Sequence, residues 1–336
     1  MMRFRSSLKL VALLAVGMGL GAQAHAQTTP VTFSLDFRAL GRHAAWYVAL
    51  DKGYYKKAGL DVTIIPSQGT AQAIQSVESK AAQFAFSDVA GLVAARANSQ
   101  VTAKMVAVIY QKAPYAIFSL RSGANITKPE QLENLEIASG AGSFTQKVIE
   151  AFMKSKGLKA ETVRYTNIDP AARIGMLVAK KVPAIETFAM SMPGVVKAAG
   201  AQDAQIFLLA NHGLSLYSNG ILVRDDYLKS NGDKVKAFVK ASLQGWHDTI
   251  ANPQEAAAIV AKHVKGLDAG VALQELAIVN ALVATPETKA KGLGTIDPKI
   301  MASSVDLIAK SIGAAGKVQA KDLNDTSALP QPPIKP

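Results

Sequence analysis

Residues 33–66 read FSLDFRALGRHAAWYVALDKGYYKKAGLDVTIIP, and this stretch decides the fold. A β-type run from Val31 to Phe37 gives way to an apolar helical pattern that begins at His43. We expect the helix to end near Gly59, because glycine readily takes the left-handed conformation that follows a helix C-terminus. A second strand, Val62–Ile65, follows at once. A strand, a helix and a strand within about thirty residues predict one right-handed crossover unit of a parallel sheet.

The first expected position of a ligand site is Asp36–His43, since ligands of parallel sheets bind beyond the carboxyl ends of the strands. Strand and helix patterns continue to alternate through the first two thirds of the chain. The other predicted strands are Gln83–Phe86, Val101–Tyr110, Tyr115–Leu120, Glu136–Ala138, Val163–Tyr165, Ala184–Phe188 and Tyr217–Val223. After Asp225 amphipathic helices dominate.

This order predicts an α/β protein of two lobes, each a mostly parallel sheet flanked by helices. We expect the first lobe to comprise residues 27–120 and 216–322 and the second lobe residues 121–215, with a proline-rich tail over 323–336. The chain would then cross between the lobes twice. Two crossings form a hinge, and a hinge beside a cleft is typical of proteins that close around a ligand.

The first 26 residues have the pattern of an export signal. Three basic residues precede the apolar stretch Val11–Leu20, and Ala24-His25-Ala26 forms a cleavage site before Gln27. The apolar stretch is shorter than the roughly 20 residues that a membrane-spanning helix needs. The chain has no cysteine, so the cysteine required for a lipid anchor is missing. We expect a soluble periplasmic protein that is released after Ala26 and is not lipid-anchored.

Composition restricts the partners. The chain of 336 residues carries a formal net charge of +12, but its basic residues are scattered singly or in pairs. Nucleic-acid surfaces typically concentrate basic residues and interleave them with aromatic ones, so a nucleic-acid partner is not expected. A basic surface that is simply solvated accounts for most of the charge. The positive net charge still gives a modest preference for anionic ligands.

The motifs resemble the thiamine-pyrimidine/sulfonate/nitrate group of ABC-importer solute-binding proteins. The resemblance covers roughly residues 32–262, and it rests on the order and spacing of several short motifs. These motifs are Leu35-Asp36, His43, Lys52–Tyr55, Gly59–Val62, Phe84–Asp88, Ala94–Ala97, Pro129–Leu132, Gly140–Phe144, Val182–Glu186, Tyr217–Gly220 and Arg224–Leu228. The resemblance implies the type II periplasmic-binding-protein fold and a monomer that binds a small solute without a cofactor. It also implies two partners, an inner-membrane ABC permease and its ATPase.

One departure from the family bears on the ligand. Pyrimidine-binding members carry a Trp-x-Pro-Asn turn after the first strand, where this chain has Phe37, Arg38, Ala39 and Leu40. The exchange loses a stacking ring and an amide and adds a cation. We therefore expect a small organic anion, an aromatic carboxylate or a sulfonate, with Arg38 as its partner in the first lobe.

In the first lobe, each candidate ligand residue also has a structural interpretation. Arg38 can grip a carboxylate with two parallel bonds, or it can be a solvated turn residue. His43 can donate to a ligand or cap the helix that it opens. Ser87 is the expected ligand contact, with the neighbouring Asp88 as helix cap. Tyr217 and Asn219 are expected to face the cleft, although either can instead satisfy the hinge backbone.

In the second lobe, the glycine-rich stretch before a predicted helix is the main candidate. Its residues Gly142 and Ser143 offer backbone N–H groups at the positive end of the helix dipole, and the resemblance adds Phe144. A third glycine is missing, so the stretch is not a dinucleotide-binding motif. Glu186 follows an apolar strand and can bind a ligand amine or hold a hinge arginine.

Three other functions stay open. The first is binding of a thiamine pyrimidine precursor by His43, Glu186 and an aromatic wall. The second is an enzyme like the eukaryotic thiamine-pyrimidine synthases, but those carry a cysteine-rich motif and this chain has no cysteine. The third is a receptor for a signalling kinase. Hydrolase motifs of the G-x-S-x-G or H-E-x-x-H type are absent, and His212, His247 and His263 are isolated, so neither a hydrolase nor a metal site is expected.

Overall fold

The computed structural model describes residues 28–140 and 143–336. The predicted export signal and the candidate Gly142 lie outside the described residues. Within the described range, no helix has both the length and the apolar character needed to cross a bilayer.

Two five-stranded sheets form the centres of the two lobes. The strands are Thr29–Ser34 (β1), Leu60–Ile65 (β2), Phe84–Asp88 (β3), Ala103–Val108 (β4), Tyr115–Leu120 (β5), Glu136–Ser139 (β6), Arg164–Asn167 (β7), Ala184–Phe188 (β8), Ala204–Leu208 (β9) and Asn219–Arg224 (β10). Their order is β2-β1-β3-β10-β4 in the first sheet and β7-β6-β8-β5-β9 in the second. In the first sheet β10 runs antiparallel to its neighbours, and in the second sheet β5 does. The predicted α/β class with two mostly parallel sheets is therefore confirmed.

Helices flank both sheets and make up most of the chain after β10. They are Ala44–Asp51 (α1), Tyr54–Lys57 (α2), Thr70–Glu78 (α3), Val89–Asn98 (α4), Thr145–Ser155 (α5), Arg173–Val178 (α6), Met192–Ala199 (α7), Asp225–Ser230 (α8), Gly232–Ala251 (α9), Pro253–His263 (α10), Ala269–Val283 (α11), Pro286–Lys291 (α12), Pro298–Ser311 (α13) and Ala320–Leu323 (α14). Short 3₁₀ turns include Gly41–His43 before α1.

The first crossover unit forms as predicted, with one difference. Strands β1 and β2 pair in parallel, and Gly59 has a φ of +76° just before β2. The helix between them is divided into α1 and α2 at Gly53, whose φ is +70°. Glycine takes this left-handed conformation at little cost, and it interrupts a helical pattern that the apolar residues alone would continue.

The chain crosses from the first sheet to the second between Val108 and Tyr115, and it returns between Leu208 and Asn219. Strand β5 lies in the second sheet, whereas the predicted first lobe ran to residue 120. Strands β4 and β5 are both mostly buried apolar runs around the break at Pro114. Their sequences therefore do not tell which sheet each one joins.

Aromatic side chains and a close helix contact hold the first lobe together. Trp46 of α1 packs edge-on against Phe33 of β1 and Trp246 of α9, with ring centroids 4.9 and 5.6 Å away. Helix α9 approaches α1 so closely that a Cβ atom on Gly245 would lie 2.3 Å from the Ala45 carbonyl oxygen. This packing supports the carboxyl end of β1, where the polar residues begin.

Candidate functional site: a buried cluster between the lobes

The carboxyl end of β1 leads into a buried polar cluster centred on Asp36. One carboxylate oxygen of Asp36 accepts a hydrogen bond from Nε2 of His43 at 2.7 Å. The other accepts a hydrogen bond from the amide nitrogen of Asn219 at 2.9 Å. Asn219 opens β10 at the second crossing, so Asp36 joins the first strand to the hinge.

His43 is occupied within the protein and does not have the predicted freedom to donate to a ligand. Its Nδ1 accepts the N–H of Leu40 at 3.0 Å, which assigns the proton to the Nε2 that faces Asp36. Burial and the charge of Arg42 lower the pKa of His43, although Asp36 opposes the change. The ring is therefore neutral at pH 7. It supports the loop after β1 and, contrary to the structural interpretation, makes no side-chain hydrogen bond that caps α1.

Arg42 supplies the buried cation of the cluster. Only 7% of its surface is exposed, and its Nη2 lies 3.5 Å from Oδ2 of Asp36. Its guanidinium carbon lies 5.9 Å from the ring centroid of Phe37 in the first lobe and 5.7 Å from that of Phe188 in the second. Nε of Arg42 is buried without a hydrogen-bond partner. A planar cation with an unmet donor therefore lies between two aromatic rings from opposite lobes.

Arg38, the predicted cation, lies elsewhere. It is exposed on the bend after β1, with its guanidinium carbon 5.7 Å from the Phe37 ring centroid. The sequence prediction named Arg38 of this loop and did not name Arg42, which is the arginine that the fold buries. Arg42 belongs to the 3₁₀ turn Gly41–His43, whose residues are buried. Both candidates are arginines, so it is the backbone conformation that buries one and leaves the other exposed.

Helix α11 contributes an acidic residue that sequence reasoning missed. Oε2 of Glu275 accepts the backbone N–H of Arg42 at 3.0 Å, and the Gly41 N–H also donates to this side chain. The loop and α11 approach each other closely at this point, since a Cβ added to Gly41 would lie only 2.4 Å from Cα of Ala272. Burial raises the pKa of Glu275, although the Arg42 charge and these N–H groups oppose the rise.

Tyr110, on the first crossing, completes the cluster. Its hydroxyl is buried and has no hydrogen-bond partner. Burial raises the pKa of Tyr110 well above its usual value, and the charges of Arg42, Asp36 and Glu275 also influence it. The hydroxyl is thus a second unpaired polar group close to Arg42.

Asp88 ties both crossings to the first sheet. As predicted, it caps a helix, because its carboxylate accepts the N–H of Ala90 at the start of α4. The same side chain accepts hydrogen bonds from the hydroxyl of Tyr115, just after the first crossing, and from that of Ser218, at 2.7 Å, on the second. Ser87, the predicted ligand contact, is fully buried, and its hydroxyl donates to the Thr70 carbonyl at 3.3 Å.

Tyr217 does not face the cleft as predicted. Its hydroxyl accepts the N–H of Asp297 at 2.9 Å, and its own N–H donates to Ser304 of α13. The side chain lies in a core formed with the C-terminal helices. The alternative, in which the side chain satisfies the hinge backbone, is also wrong, because the hydroxyl accepts the N–H of Asp297 just before α13.

In the second lobe, Glu186 at the end of β8 is the centre of another polar cluster. Its Oε1 accepts hydrogen bonds from Ser139 at 2.7 Å and from Arg173 at 3.1 Å, and Gln146 donates to the Ser139 hydroxyl. Glu186 thus holds an arginine, as one interpretation expected, but that arginine belongs to α6 and not to the hinge.

The predicted anion site at the start of α5 is only partly described. The N–H of Ser143 donates to the Gly140 carbonyl at 3.0 Å and is therefore occupied. Phe144 is half-buried immediately before the helix. Among the residues that the structure describes, no group of three or more potential metal ligands occurs.

Comparison with known proteins agrees with this architecture. A family model described as NMT1/THI5 like matches residues 41–256. The riboflavin-binding protein RibY of Chloroflexus aurantiacus is 28% identical over 229 residues, which cover 67% of this chain and 64% of that protein. The formylaminopyrimidine-binding protein of Halalkalibacterium halodurans is 22% identical over 227 residues, which cover 67% of this chain and 68% of that protein.

An enzyme and a solved structure are also similar. The 4-amino-5-hydroxymethyl-2-methylpyrimidine phosphate synthase THI11 of Saccharomyces cerevisiae is 25% identical over 246 residues, which cover 68% of this chain and 69% of the synthase. The chain thus spans about two thirds of the length of these relatives. The periplasmic aliphatic sulphonate binding protein SsuA of Escherichia coli superposes with a TM-score of 0.66 at 14% identity, over 88% of this chain and 92% of that chain. The periplasmic-binding-protein fold is confirmed.

Proposed function

Because this chain belongs to the NMT1/THI5-like family and has the two-lobed fold of periplasmic binding proteins, we propose that it is the solute receptor of an ABC importer. It captures a small aromatic carboxylate or sulfonate between its lobes and delivers it to an inner-membrane permease and its ATPase. It acts in the periplasm as a monomer and does not change its ligand chemically.

The unmet hydrogen-bonding capacity of Arg42 carries this proposal. A buried donor without a partner costs about 1–3 kcal/mol, and the cost is larger for a charged group. A carboxylate or sulfonate offers acceptors in the plane that a guanidinium prefers. We expect an anionic ligand to gain affinity by supplying acceptors to this guanidinium.

The rings of Phe37 and Phe188 favour an aromatic ligand. They belong to different lobes and lie 5.9 and 5.7 Å from the guanidinium carbon of Arg42. An aromatic ring bearing an acidic group can contact such side chains while its acidic group reaches Arg42. Since one ring comes from each lobe, ligand contacts there favour the closed arrangement.

The names of two relatives support binding rather than catalysis, since RibY and the formylaminopyrimidine-binding protein are both described as binding proteins. The synthase relative represents the enzymatic alternative. His43 is a poor general base here, because both of its ring nitrogens are engaged.

A neutral heterocycle is the second candidate ligand. Arg42 already has Asp36 nearby, and Glu275 contacts its backbone N–H, so a ligand without charge would not disturb the balance of charges. A pyrimidine or a flavin, the ligands named for two relatives, would then contact these aromatic side chains.

A thermal-shift screen followed by calorimetry tests these alternatives. A ligand at about 100 times its Kd stabilises the folded protein by about 2.7 kcal/mol, which a raised melting temperature reports. Arg42→Met should then weaken binding of the selected anion about ten- to a hundredfold, through loss of a charge-assisted bond of about 1.5–3 kcal/mol. The matched control is Arg38→Met, which removes an exposed cation and should change Kd by less than about threefold.

Three results would contradict the proposal. The first is tight binding of a neutral pyrimidine or flavin with no response to any carboxylate or sulfonate. The second is an Arg42→Met protein that melts normally and binds the anion as tightly as the unmodified protein. The third is consumption of the ligand by the purified protein, which would favour an enzyme.

A further inference from the structure

Three buried ionisable side chains lie together where the loop after β1 meets α11. Arg42 is positive, whereas Asp36 and Glu275 are acidic, and at most 9% of the surface of each of the three is exposed. Asp36 lies 3.5 Å from the guanidinium, and Glu275 accepts the backbone N–H of the same arginine. The charges of both carboxyl groups thus act on one buried cation.

If an anion binds, three acidic groups would surround the Arg42 cation, namely Asp36, Glu275 and the ligand itself. Charges that are removed from water interact strongly, and a buried group typically neutralises itself when its charge is not compensated. The site can relieve the excess by binding a proton on one of its carboxyl groups. Such uptake links ligand affinity to pH, because the proton and the ligand favour each other.

We propose that Glu275 is a specificity-determining residue that takes up a proton when the anion binds, so that the receptor captures its ligand together with about one proton. This inference rests on the proposed function, since a neutral ligand would cause no uptake. It also assigns a role in the ligand site to α11, which lies outside the residues that match the family model.

Asp36 is the less suitable proton acceptor. Both of its oxygens already accept hydrogen bonds, from His43 and from Asn219. Although burial acts to raise its pKa, the Arg42 charge and these two bonds outweigh burial and hold the pKa of Asp36 below its usual value. Asp36 therefore stays ionised when the ligand binds.

Glu275 is better placed to gain the proton. Its identified contacts are backbone N–H groups, and a protonated carboxyl group keeps one oxygen that accepts them. Burial already raises the pKa of Glu275, and an anion nearby would raise it further.

The other groups around Glu275 are compatible with this role. Arg42 and Arg38 face it from the loop after β1, and Tyr110 faces it from the first crossing. On the helices packed against α11, Lys262 and His263 of α10 pair with Asp51, and Lys197 of α7 is exposed. The two arginines favour the ionised form of Glu275, so an acidic ligand that pairs with Arg42 would shift the balance toward the neutral form.

The test is calorimetric titration with benzenesulfonate, which stays ionised at every pH at which the protein is folded. Heats measured in two buffers of different ionisation enthalpy give the number of protons bound. At its maximum in a scan from about pH 5 to pH 9, uptake should approach one proton, and Kd should rise by up to about tenfold per pH unit in that window. Benzoate serves as a second probe at neutral pH.

Two variants test whether Glu275 is the group that binds the proton. Glu275→Gln keeps an acceptor for the Arg42 N–H but cannot titrate, so proton uptake should vanish and Kd should no longer depend on pH. In this variant the affinity at high pH should equal or exceed that of the unmodified protein, because a negative charge has been removed. Glu161→Gln changes an exposed glutamate of the second lobe and should leave uptake unchanged.

The outcomes separate this inference from the proposed function. Binding of benzenesulfonate without proton uptake at any pH, or uptake that persists in Glu275→Gln, overturns the role of Glu275 and leaves anion capture standing. If neither benzenesulfonate nor benzoate binds at millimolar concentration while a neutral heterocycle does, the anion proposal falls and the proton uptake falls with it.

Discussion

Replacing Asp36 with asparagine should destabilise the protein severely, even though the two side chains have nearly the same shape. The carboxylate accepts hydrogen bonds from His43 and Asn219 and is the charge partner of Arg42. An amide has one oxygen, so one of the two donors would face its NH₂ group and lose its acceptor, at about 1–3 kcal/mol. Breaking a buried ion pair while its cation remains costs about 3–5 kcal/mol. Because the two effects share the same desolvated atoms, we expect a total loss of about 3–5 kcal/mol rather than their sum.

Urea unfolding at neutral pH measures this loss, with Asp61→Asn on the exposed side of β2 as a control that should stay within about 0.5 kcal/mol. The pH dependence gives a second test. The folded pKa of Asp36 is lowered, so its stabilising contribution is fully present above the unfolded value of about 4 and is lost as pH falls toward the folded value. The difference in the free energy of unfolding between the unmodified protein and Asp36→Asn should therefore narrow below about pH 4. A loss under about 1 kcal/mol at neutral pH, or a difference that does not change in acid, would refute the assignment of Asp36 as a buried charge.

Two further substitutions test the packing and the hinge. Gly245→Ala should lower the free energy of unfolding by about 1–3 kcal/mol, because the new Cβ would lie 2.3 Å from the Ala45 carbonyl oxygen. This loss outweighs the helix preference of alanine, which is about 1 kcal/mol. The control is Gly232→Ala, which has no atom within 4 Å of the new Cβ and should be neutral or stabilising. Tyr115→Phe removes a donor to the buried Asp88 carboxylate and should lower the free energy of unfolding by about 1–3 kcal/mol in urea, and an unchanged midpoint would show that this bond contributes nothing to stability.

Local patterns predicted most of the fold, because strands, helices and their breaks are determined by neighbouring residues. The strand predicted over Tyr115–Leu120 is β5 with the same ends, and the helix predicted after Asp88 is α4. The sheet that each strand joins depends instead on pairing with distant residues. This explains why β5 was assigned to the first lobe, although it pairs with β8 and β9 of the second.

The sequence predicted where the polar loop after β1 lies, but not which of its side chains are buried. The expectation that Asp36–His43 forms a site rested on the edge of a parallel sheet, and the buried cluster does lie there. Choosing between Arg38 and Arg42 required the conformation of the turn, which depends on the contact between Gly41 and Ala272 of a helix more than 200 residues later. Glu275 is the one charged residue of the otherwise mostly apolar α11, and this exception alone does not tell which distant group it contacts.

Helix α11 contacts both the turn that carries Arg42 and the second lobe. It meets the turn through Ala272 and Glu275. One helical turn after Glu275, Ile278 packs against the core of the second lobe as well as that of the first. If the lobes rotate about the two crossings, as the sequence predicts, we expect the contacts of Ile278 or the turn that positions Arg42 to move with them. If the proposed ligand contacts Arg42 and Phe188 together, we expect its affinity to depend on α11 as well.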